Sequence, residues 1–510
     1  MINRTNVEDL SRLRYELERF LLGGAFELCE DHKPITTVEA GCAAAEISYG
    51  KLVLSCWGDG WSRSWRVLRA TISPQSLHLE CAKQMGRVTC ALELRRGEVE
   101  SHTASSRSEF TMKLAAMIEA NFAALSVERA VLRRDDRRNF TGIHARLLLK
   151  EQGKLIAAVG VSPKESQHDI DATLGAGIVW LNAARQRGAQ VNRLMLFVPR
   201  GRSDTIAARL TAVDVKGASV SLCEVDEIES NIQTVTPFDQ GDLHDRLRHA
   251  AMRAEWPHER QLPLDVMMLV DAIRRLAPDL IAVQRRGALA LLSIRGLEFA
   301  RVSIRRKQVE FGIGPAKEKL TAANQSRLEK LVAEIAAVRC ADSADTHALL
   351  FREQTERWLE SLLQRNVAAI DASLDARYAY SQVPAYRGEQ RSFIDLLAAT
   401  HDGRLVVIEL KVTEDVEFPF QGLDYWLRIE WHRRRGDFAR RGYFKQLQLS
   451  DRPPLLYLVA PVFRFHATTK LIAACISKQV PVTRIGINDD WRGGVRVLLS
   501  ERLNAEAQTS

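Results

Sequence analysis

The chain has 510 residues, of which 46% are hydrophobic and 27% charged. That length is too great for one ordinary domain and indicates three or four, with enough apolar residues to build cores. No apolar run reaches membrane-spanning length, and the N-terminus lacks the layout of a secretory signal, so no membrane partner is expected. The formal net charge of +8 agrees with a polyanionic partner.

The eight cysteines are scattered singly along the chain, without a C-x-x-C pair or a Cys/His cluster. Neither a structural zinc site nor a disulfide framework is therefore indicated. Unpaired cysteines of this kind are typical of a reducing environment, and we expect the protein to be cytoplasmic.

The first predicted elements form a β-rich accessory module at residues 1–104. Period-two alternation of apolar residues predicts its strands at Ala45–Leu54, Trp65–Ile72, Leu77–Ala82 and Arg87–Leu94. Three tryptophans at positions 57, 61 and 65 could stack on nucleobases. The favoured interpretation is that they fill a small β core.

A second set of elements follows at residues 105–230. The pattern predicts a helix over Phe110–Asn121, a hairpin over Ile143–Val159, a helix over Asp171–Leu181, a strand over Arg193–Val198, a helix over Thr205–Leu210 and a strand over Ala218–Cys223. Residues 231–243 are predicted to be a linker because Val235–Asp242 contains proline, glycine and acidic residues. In the next module, at 244–342, we expect a helix over Leu264–Leu276 and a three-stranded meander between residues 288 and 313.

The last predicted domain, at 343–510, begins with an amphipathic helix over Phe351–Leu363. Its next feature is a hairpin of two apolar strands, Phe393–Ala399 and Leu405–Val412, joined by a three-residue turn at His401–Gly403. In this register Asp395 lies opposite Glu409, and Lys411 lies on the same face as Glu409. Facing carboxylates repel each other unless a cation lies between them, and oxygen ligands suit Mg²⁺ or Mn²⁺.

A helix is predicted to begin at Phe418, with Gln421 and Tyr425 on one face. Strand, helix and strand follow at Leu455–Ala460, Thr468–Lys478 and Val480–Ile487. Basic residues crowd the segment just after the Gln421 helix, and those predicted to bind nucleic acid are Arg433, Arg434, Arg435, Arg440, Arg441 and Lys445. A solvated basic helix is the alternative.

The aspartate, the E-x-K sequence and the following Q-x-x-x-Y helix resemble the PD-(D/E)xK nuclease superfamily, and its RecB-type members most closely. The resemblance covers about Phe351–Leu499. It implies an α/β fold of the α+β kind, with a restriction-endonuclease-like core and a mixed sheet. It also implies a metal-dependent catalytic site made of Asp395, Glu409, Lys411, Gln421 and Tyr425. The family's proline before the aspartate is replaced here by Ile394.

In similar nucleases an acid on the first helix reaches the metal. Glu356 and Glu360 are the two candidates, and Glu356 is favoured. The predicted metal ligands are therefore Asp395, Glu409 and Glu356, with Mg²⁺ or Mn²⁺ as the cofactor.

The elements at 108–225 parallel those of the last domain. Matching Gly153 with Gly403 places Ala145 at Asp395, Val159 at Glu409 and Val161 at Lys411. Because alanine and valine cannot coordinate a cation, this stretch is predicted to be a degenerate, inert copy. The alternative is chance similarity between two βαβ-containing units.

The leading hypothesis is an Mg²⁺-dependent deoxyribonuclease that hydrolyses phosphodiester bonds, with DNA favoured over RNA as its partner. The alternatives are a non-catalytic nucleic-acid-binding protein and a defence or repair scaffold that retains the nuclease fold. The oligomeric state is left open, and a homodimer is among the states considered.

Overall fold

The computed structural model describes the chain from residue 7 to residue 504, except for 23–25, 32, 39–42, 49–50, 59–60, 74–75, 84–87, 96–98, 132–142, 237–261, 315–316, 347 and 388–389. The described residues form a mixed α/β structure with several sheets. Within them, no helix is both long and apolar enough to cross a bilayer.

The chain divides into two compact units, each assembled from separate stretches of sequence. Unit 1 comprises Met1–His102, Pro257–Leu362 and Asp490–Gly494, and unit 2 comprises Thr103–Trp256, Leu363–Asp489 and Val495–Ser510. The chain therefore passes from one unit to the other five times between residues 102 and 495.

Unit 1 opens with a helix and an antiparallel seven-stranded sheet of order β2-β1-β7-β6-β5-β4-β3. The elements are α1 Val7–Leu22, β1 Phe26–Glu30, β2 Lys33–Val38, β3 Ala43–Ser48, β4 Lys51–Gly58, β5 Trp61–Ile72, β6 Ser76–Lys83 and β7 Val88–Arg95. Trp65 is buried in the core of this module, as predicted. The side chains of Trp57 and Trp61 lie outside the described residues.

The single strand predicted at Ala45–Leu54 was wrong. The structure forms two strands there, β3 and β4, and Ser48 pairs directly with Lys51. In the sequence, the Tyr49-Gly50 pair between these two residues breaks no apolar alternation on either side. Periodicity alone therefore joined two strands of a hairpin into one.

The second part of unit 1 is an antiparallel five-stranded sheet of order β14-β15-β16-β17-β18 with helices packed on it. Its elements are α6 Leu264–Arg274, β14 Ile281–Arg286, β15 Leu289–Ile294, β16 Leu297–Ser303, β17 Gln308–Phe311, β18 Glu318–Lys319, α7 Gln325–Val338, α8 Leu349–Arg352 and α9 Thr355–Arg365. The 3₁₀ turn Trp491–Gly493 also belongs to this unit. The predicted meander is confirmed, with one further strand on each side.

The helix predicted over Phe351–Leu363 is interrupted. Gln354 has a φ of +50°, which ends α8 before α9 begins. The buried Arg339 accounts for the break, because its Nη1 donates to the carbonyl oxygens of Leu350 (2.8 Å) and Glu353 (2.7 Å). These carbonyls bind a guanidinium instead of the next helical turn. Burial lowers the pKa of Arg339 to about 9.

Unit 2 contains two six-stranded mixed sheets. The N-terminal repeat comprises α2 Val99–Asn121, β8 Ser126–Val131, β9 Ala145–Glu151, β10 Lys154–Gly160, α3 Gln167–Asp171, α4 Thr173–Gln186, β11 Val191–Pro199, α5 Asp204–Leu210, β12 Ser219–Asp226 and β13 Asn231–Val235. The C-terminal repeat comprises β19 Leu374–Arg387, β20 Gln390–Thr400, β21 Leu405–Leu410, α10 Phe418–Arg434, α11 Asp437–Arg440, β22 Leu455–Pro461, α12 Thr469–Ala474, β23 Val482–Ile487 and β24 Val497–Arg502. Strand β13 occupies part of the predicted linker.

The two repeats share one topology. The strand orders are β8-β9-β10-β11-β12-β13 and β19-β20-β21-β22-β23-β24. In each sheet the third, fourth and fifth strands are parallel, and the other neighbours are antiparallel. A long helix follows the third strand and a short helix follows the fourth. The parallel seen in the sequence is therefore a repeat of structure.

Glycines set the same helix-to-sheet approach in both repeats. A Cβ added at Gly177 of α4 would lie 2.6 Å from Leu196 Cδ2, and one added at Gly422 of α10 would lie 2.9 Å from Leu458 Cδ2. Only glycine allows the long helix to lie this close to the central strand. Gly177 and Gly422 are therefore equivalent positions, as are Leu196 and Leu458.

The repeats join through equivalent segments. Val213, after α5, pairs with Ile476, after α12, in an antiparallel bridge. Two backbone hydrogen bonds flank the bridge, from Asp214 N–H to Cys475 (2.7 Å) and from Ser477 N–H to Ala212 (2.8 Å). Equivalent segments that run antiparallel are related by a local two-fold axis. One hydrophobic core contains the helix-bearing faces of both sheets.

Candidate active site

The hairpin of β20 and β21 has the predicted register. Leu396 pairs with Ile408 and Ala399 with Leu405, and the N–H of Thr400 donates to Arg404, which leaves three residues in the turn. One step beyond the last pair, Asp395 lies opposite Glu409. There the Asp395 carboxylate accepts a hydrogen bond from the backbone N–H of Leu410, at 2.9 Å.

Glu409 and Lys411 stand at the end of a fully buried strand. Their exposed fractions are only 4% and 6%. Lys411 N–H donates to the carbonyl of Val459 on the parallel neighbour β22, at 3.0 Å, which extends the ladder past the last β21 residue. Burial of a carboxylate and an ammonium is costly unless charges or hydrogen bonds compensate it, so this pair needs polar partners nearby.

Asp415 is a site residue that the sequence reasoning missed. Its Oδ2 lies 3.6 Å from Lys411 Nζ and accepts a hydrogen bond from Gln421 Nε2 at 3.0 Å. Its Oδ1 accepts from the backbone N–H of Glu417, at 2.8 Å. Asp415 therefore joins the lysine to the start of α10. The sequence signal that could have identified Asp415 is its spacing. It lies four residues after Lys411 and three residues before Phe418, where α10 begins.

Gln421 and Tyr425 share one face of α10, as predicted. Asp415 links Gln421 to Lys411. Gln421 Nε2 donates to Asp415 Oδ2, the same oxygen that lies beside the Lys411 ammonium. Tyr425 is half-buried and packs against the shared core of unit 2. The structure thus brings Gln421 to the lysine and sets Tyr425 one helical turn further along.

Glu356, the predicted third metal ligand, lies in α9 and belongs to unit 1, whereas the residues above belong to unit 2. Its role as a ligand stays a prediction. Glu360, the other candidate on that helix, is buried beside Arg357, whose Nη1 lies 3.4 Å from its carboxylate.

Across the described ranges, no three His, Cys, Asp or Glu side chains are grouped closely enough to hold a metal ion. The donors available at the hairpin are therefore the two facing carboxylates of Asp395 and Glu409. Mg²⁺ is commonly bound through one or two carboxylates, with water and substrate phosphate as the remaining ligands. The donor set fits a cation of that kind.

The basic segment, which covers the last turns of α10 and the residues after it, carries its own acids. Arg433 is largely buried and forms a two-pronged pair with Glu430, at 2.6 and 2.9 Å, and Arg434 reaches the same carboxylate at 2.7 Å. Arg435 and Arg440 both pair with Asp437. Arg441 and Lys445 are exposed. Residues 428–445 hold seven Lys or Arg and two Asp or Glu, a net charge of +5 with His neutral.

The N-terminal repeat lacks the acids and the lysine. Val159 lies beside Leu196 in β11, as Glu409 lies beside Leu458 in β22, so Val159 and Val161 occupy the positions of Glu409 and Lys411. Both valines are buried. The C-terminal repeat therefore carries the aspartate, the glutamate and the lysine that the N-terminal repeat lacks.

The predicted match of Ala145 with Asp395 was wrong by one residue. The turn of the β9–β10 hairpin has two residues, because Glu151 pairs with Lys154, and Arg146 therefore lies opposite Val159. The Arg146 guanidinium lies 5.5 Å from the centre of the Trp180 ring. An arginine thus takes the place of the aspartate, and the charge at this position is reversed.

The same correction applies to the long helix. The equivalence of Gly177 and Gly422 aligns Trp180 with Tyr425, and not with Trp426 as the sequence parallel implied.

Neither protein-family models nor curated proteins give a match to this chain.

Proposed function

We propose that this protein is a metal-dependent nuclease that hydrolyses phosphodiester bonds in nucleic acid, with DNA favoured over RNA. The observation that carries the proposal is the placement of Asp395 opposite Glu409, with the buried Lys411 on the same face. Facing carboxylates favour a divalent cation between them.

Asp395 and Glu409 would hold Mg²⁺ or Mn²⁺. When bound, such an ion supplies Lewis-acid stabilisation of a phosphate oxygen and lowers the pKa of a coordinated water. Glu356 is the proposed source of a further carboxylate oxygen. A restriction-endonuclease-like core, with the N-terminal repeat as a degenerate copy of it, is part of the same proposal.

Lys411 would orient the attacking water or stabilise negative charge that develops on the phosphate. Its ammonium lies beside the Asp415 carboxylate, and Gln421 donates a hydrogen bond to the same carboxylate oxygen. Tyr425 lies on the same helix face as Gln421 and would contact the strand beside the lysine. Arg441 and Lys445 are exposed and would contact phosphates.

The test uses the full chain with plasmid and single-stranded DNA, in Mg²⁺, in Mn²⁺ and in EDTA. Glu409→Ala and Asp395→Ala should abolish metal-dependent cleavage while DNA affinity persists, because these acids hold the metal and affinity comes from the basic surface. The matched control is Asp375→Asn, a carboxylate as buried as Glu409, which lies beside His401 at the turn end of the same hairpin.

Near wild-type cleavage by both alanine variants would overturn the site assignment. A wild-type chain that binds DNA in a salt-dependent manner but cleaves it in neither metal would favour the alternative, a non-catalytic nucleic-acid-binding scaffold. The pairing of Arg433, Arg434, Arg435 and Arg440 with acids of their own segment reduces the charge available for such binding.

A further inference from the structure

The side chain of Arg209, in the N-terminal repeat, is fully buried. Its Nε and Nη2 donate to the two oxygens of Asp424 at 2.9 and 3.0 Å, and its Nη1 donates to Glu417 Oε2 at 2.9 Å. Nη1 also donates to the carbonyl of Asp171 in its own repeat, at 2.7 Å. Arg209 therefore links the repeat that lacks the catalytic acids to the repeat that has them.

Burial by itself would lower the pKa of Arg209, but the carboxylates of Asp424 and Glu417 outweigh that effect and raise it. The guanidinium also lies 5.1 Å from the centre of the Phe420 ring. Gly175 of α4 leaves the space that the Glu417 carboxylate fills, since an added Cβ would collide with it. Glu417 is thus packed against Arg209 and Gly175 of the N-terminal repeat, and Asp424 is buried against Arg209.

The two acids lie on either side of Gln421 in the sequence. Glu417 immediately precedes the helix, and its backbone N–H donates to Asp415, the partner of Lys411. Asp424 lies between Gln421 and Tyr425, on the neighbouring side of the same helix. A displacement of Glu417 would therefore shift the Asp415 carboxylate, which lies beside Lys411.

We propose that Arg209 is a positioning residue for the candidate active site, so that the N-terminal repeat, which has lost the acids, holds the catalytic helix and the Lys411–Asp415 pair in place. This inference rests on the proposed nuclease function. Arg209 would touch neither the metal nor the substrate. It acts through Glu417 and Asp424, which would repel each other without the guanidinium between them.

The experiment compares Arg209→Met and Arg209→Lys in the full chain, with Arg107→Met as the control. Arg107 forms a similar two-pronged pair with Glu165 inside the N-terminal repeat, at 2.6 and 3.0 Å. Arg209→Met should lower kcat roughly 10- to 100-fold with little change in KM, because misplaced groups slow the chemical step. Arg209→Lys should recover part of kcat, and the control should keep the wild-type kcat.

If Arg209→Met fails to fold, the triple variant Arg209→Met/Glu417→Gln/Asp424→Asn removes all three buried charges and should still show the lowered kcat. A folded Arg209→Met or triple variant with wild-type kcat would overturn the inference.

Amide hydrogen exchange over residues 411–425 provides a readout that does not depend on cleavage. Protection there should fall in Arg209→Met and stay unchanged in Arg107→Met. If the wild-type chain cleaves nothing, the nuclease proposal fails. The exchange result then still decides whether Arg209 holds this segment, and unchanged protection would refute that role.

Discussion

His432 is a buried histidine near the end of α10, and its charge state links the stability of this region to pH. Its Nδ1 lies 2.8 Å from Asp437 Oδ2. Burial lowers the pKa of His432 to about 4, although the hydrogen bond to Asp437 opposes that shift. In the unfolded chain the imidazole has its ordinary pKa of about 6.5 and binds a proton first. The contribution of neutral His432 to the free energy of unfolding is therefore complete above pH 6.5 and is lost as the pH falls toward 4.

We expect the free energy of unfolding to decrease by about 2 kcal/mol between pH 7 and pH 5 through His432 alone. His432→Gln, which cannot be protonated, should reduce that pH dependence. Calorimetric melting at the two pH values measures the difference, with the exposed His401→Gln as the control. An equal pH dependence in wild type and His432→Gln would contradict the assignment.

The positions of single site residues could be predicted from the sequence where the residues lie on strands with a regular apolar pattern. The alternation along a hairpin was enough to place Asp395, Glu409 and Lys411 together, because a strand has only two faces. Asp415 could not be found in that way. Its contacts with Lys411 and Gln421 depend on the path of the chain between β21 and α10, which no periodicity describes.

At the scale of elements, the hairpin turns of the two repeats offer a matched comparison. Gly153 and Gly403 have φ values of +83° and +79°. A Cβ at Gly153 would meet no atom within 4 Å, whereas one at Gly403 would collide with the backbone carbonyl of Gln448. A side chain at either position would suffer the same backbone strain, but only at Gly403 would it also clash with a neighbouring segment.

Gly153→Ala should therefore cost about 1–2 kcal/mol, the penalty for a left-handed conformation. Gly403→Ala should cost a further ~1–3 kcal/mol because the backbone near Gln448 must move. Thermal melting of the two variants checks the ranking. Equal losses of stability would mean that the turn does not press against the chain at Gln448.

In the basic segment, Arg441 and Lys445 are exposed, whereas Arg433 is largely buried against Glu430. Arg441→Gln with Lys445→Gln should lower DNA affinity and reduce the log–log salt slope by about one for each phosphate that the variant no longer binds. Arg433→Gln should instead lower the melting temperature, since it leaves the Glu430 carboxylate with less compensation. Filter binding over a salt series measures the slopes. An unchanged slope in the double variant would assign these residues to a solvated surface.

Strand and helix positions in the two repeats were largely predictable from apolar periodicity, because buried parallel strands give continuous apolar runs. The remaining errors have local causes. A turn shorter by one residue shifted the match of Ala145, and the buried Arg339 interrupted a helix whose sequence pattern was unbroken. Apolar periodicity shows neither the length of the turn between β9 and β10 nor the hydrogen bonds that Arg339 makes to the carbonyls of Leu350 and Glu353.

At the scale of the whole molecule, the two repeats share one hydrophobic core. A fragment limited to residues 343–510 would expose the apolar helix faces that the N-terminal repeat covers, and the buried acids Glu417 and Asp424 would lose Arg209. We expect such a fragment to aggregate or to bind a hydrophobic dye, while the full chain does not. A fragment that melts cooperatively would show that the C-terminal repeat folds by itself.

The five crossings of the chain between the units have a consequence for biosynthesis. Unit 1 is completed by Asp490–Gly494, where Trp491 packs edge-on against Trp358 at a centroid distance of 6.0 Å. Proteins with sequential domains can fold each one as it leaves the ribosome. Here neither unit is complete until translation has passed residue 494. The helix-bearing face of the N-terminal repeat must therefore stay uncovered until the C-terminal repeat has been made, and we expect chaperones to bind the nascent chain at that face.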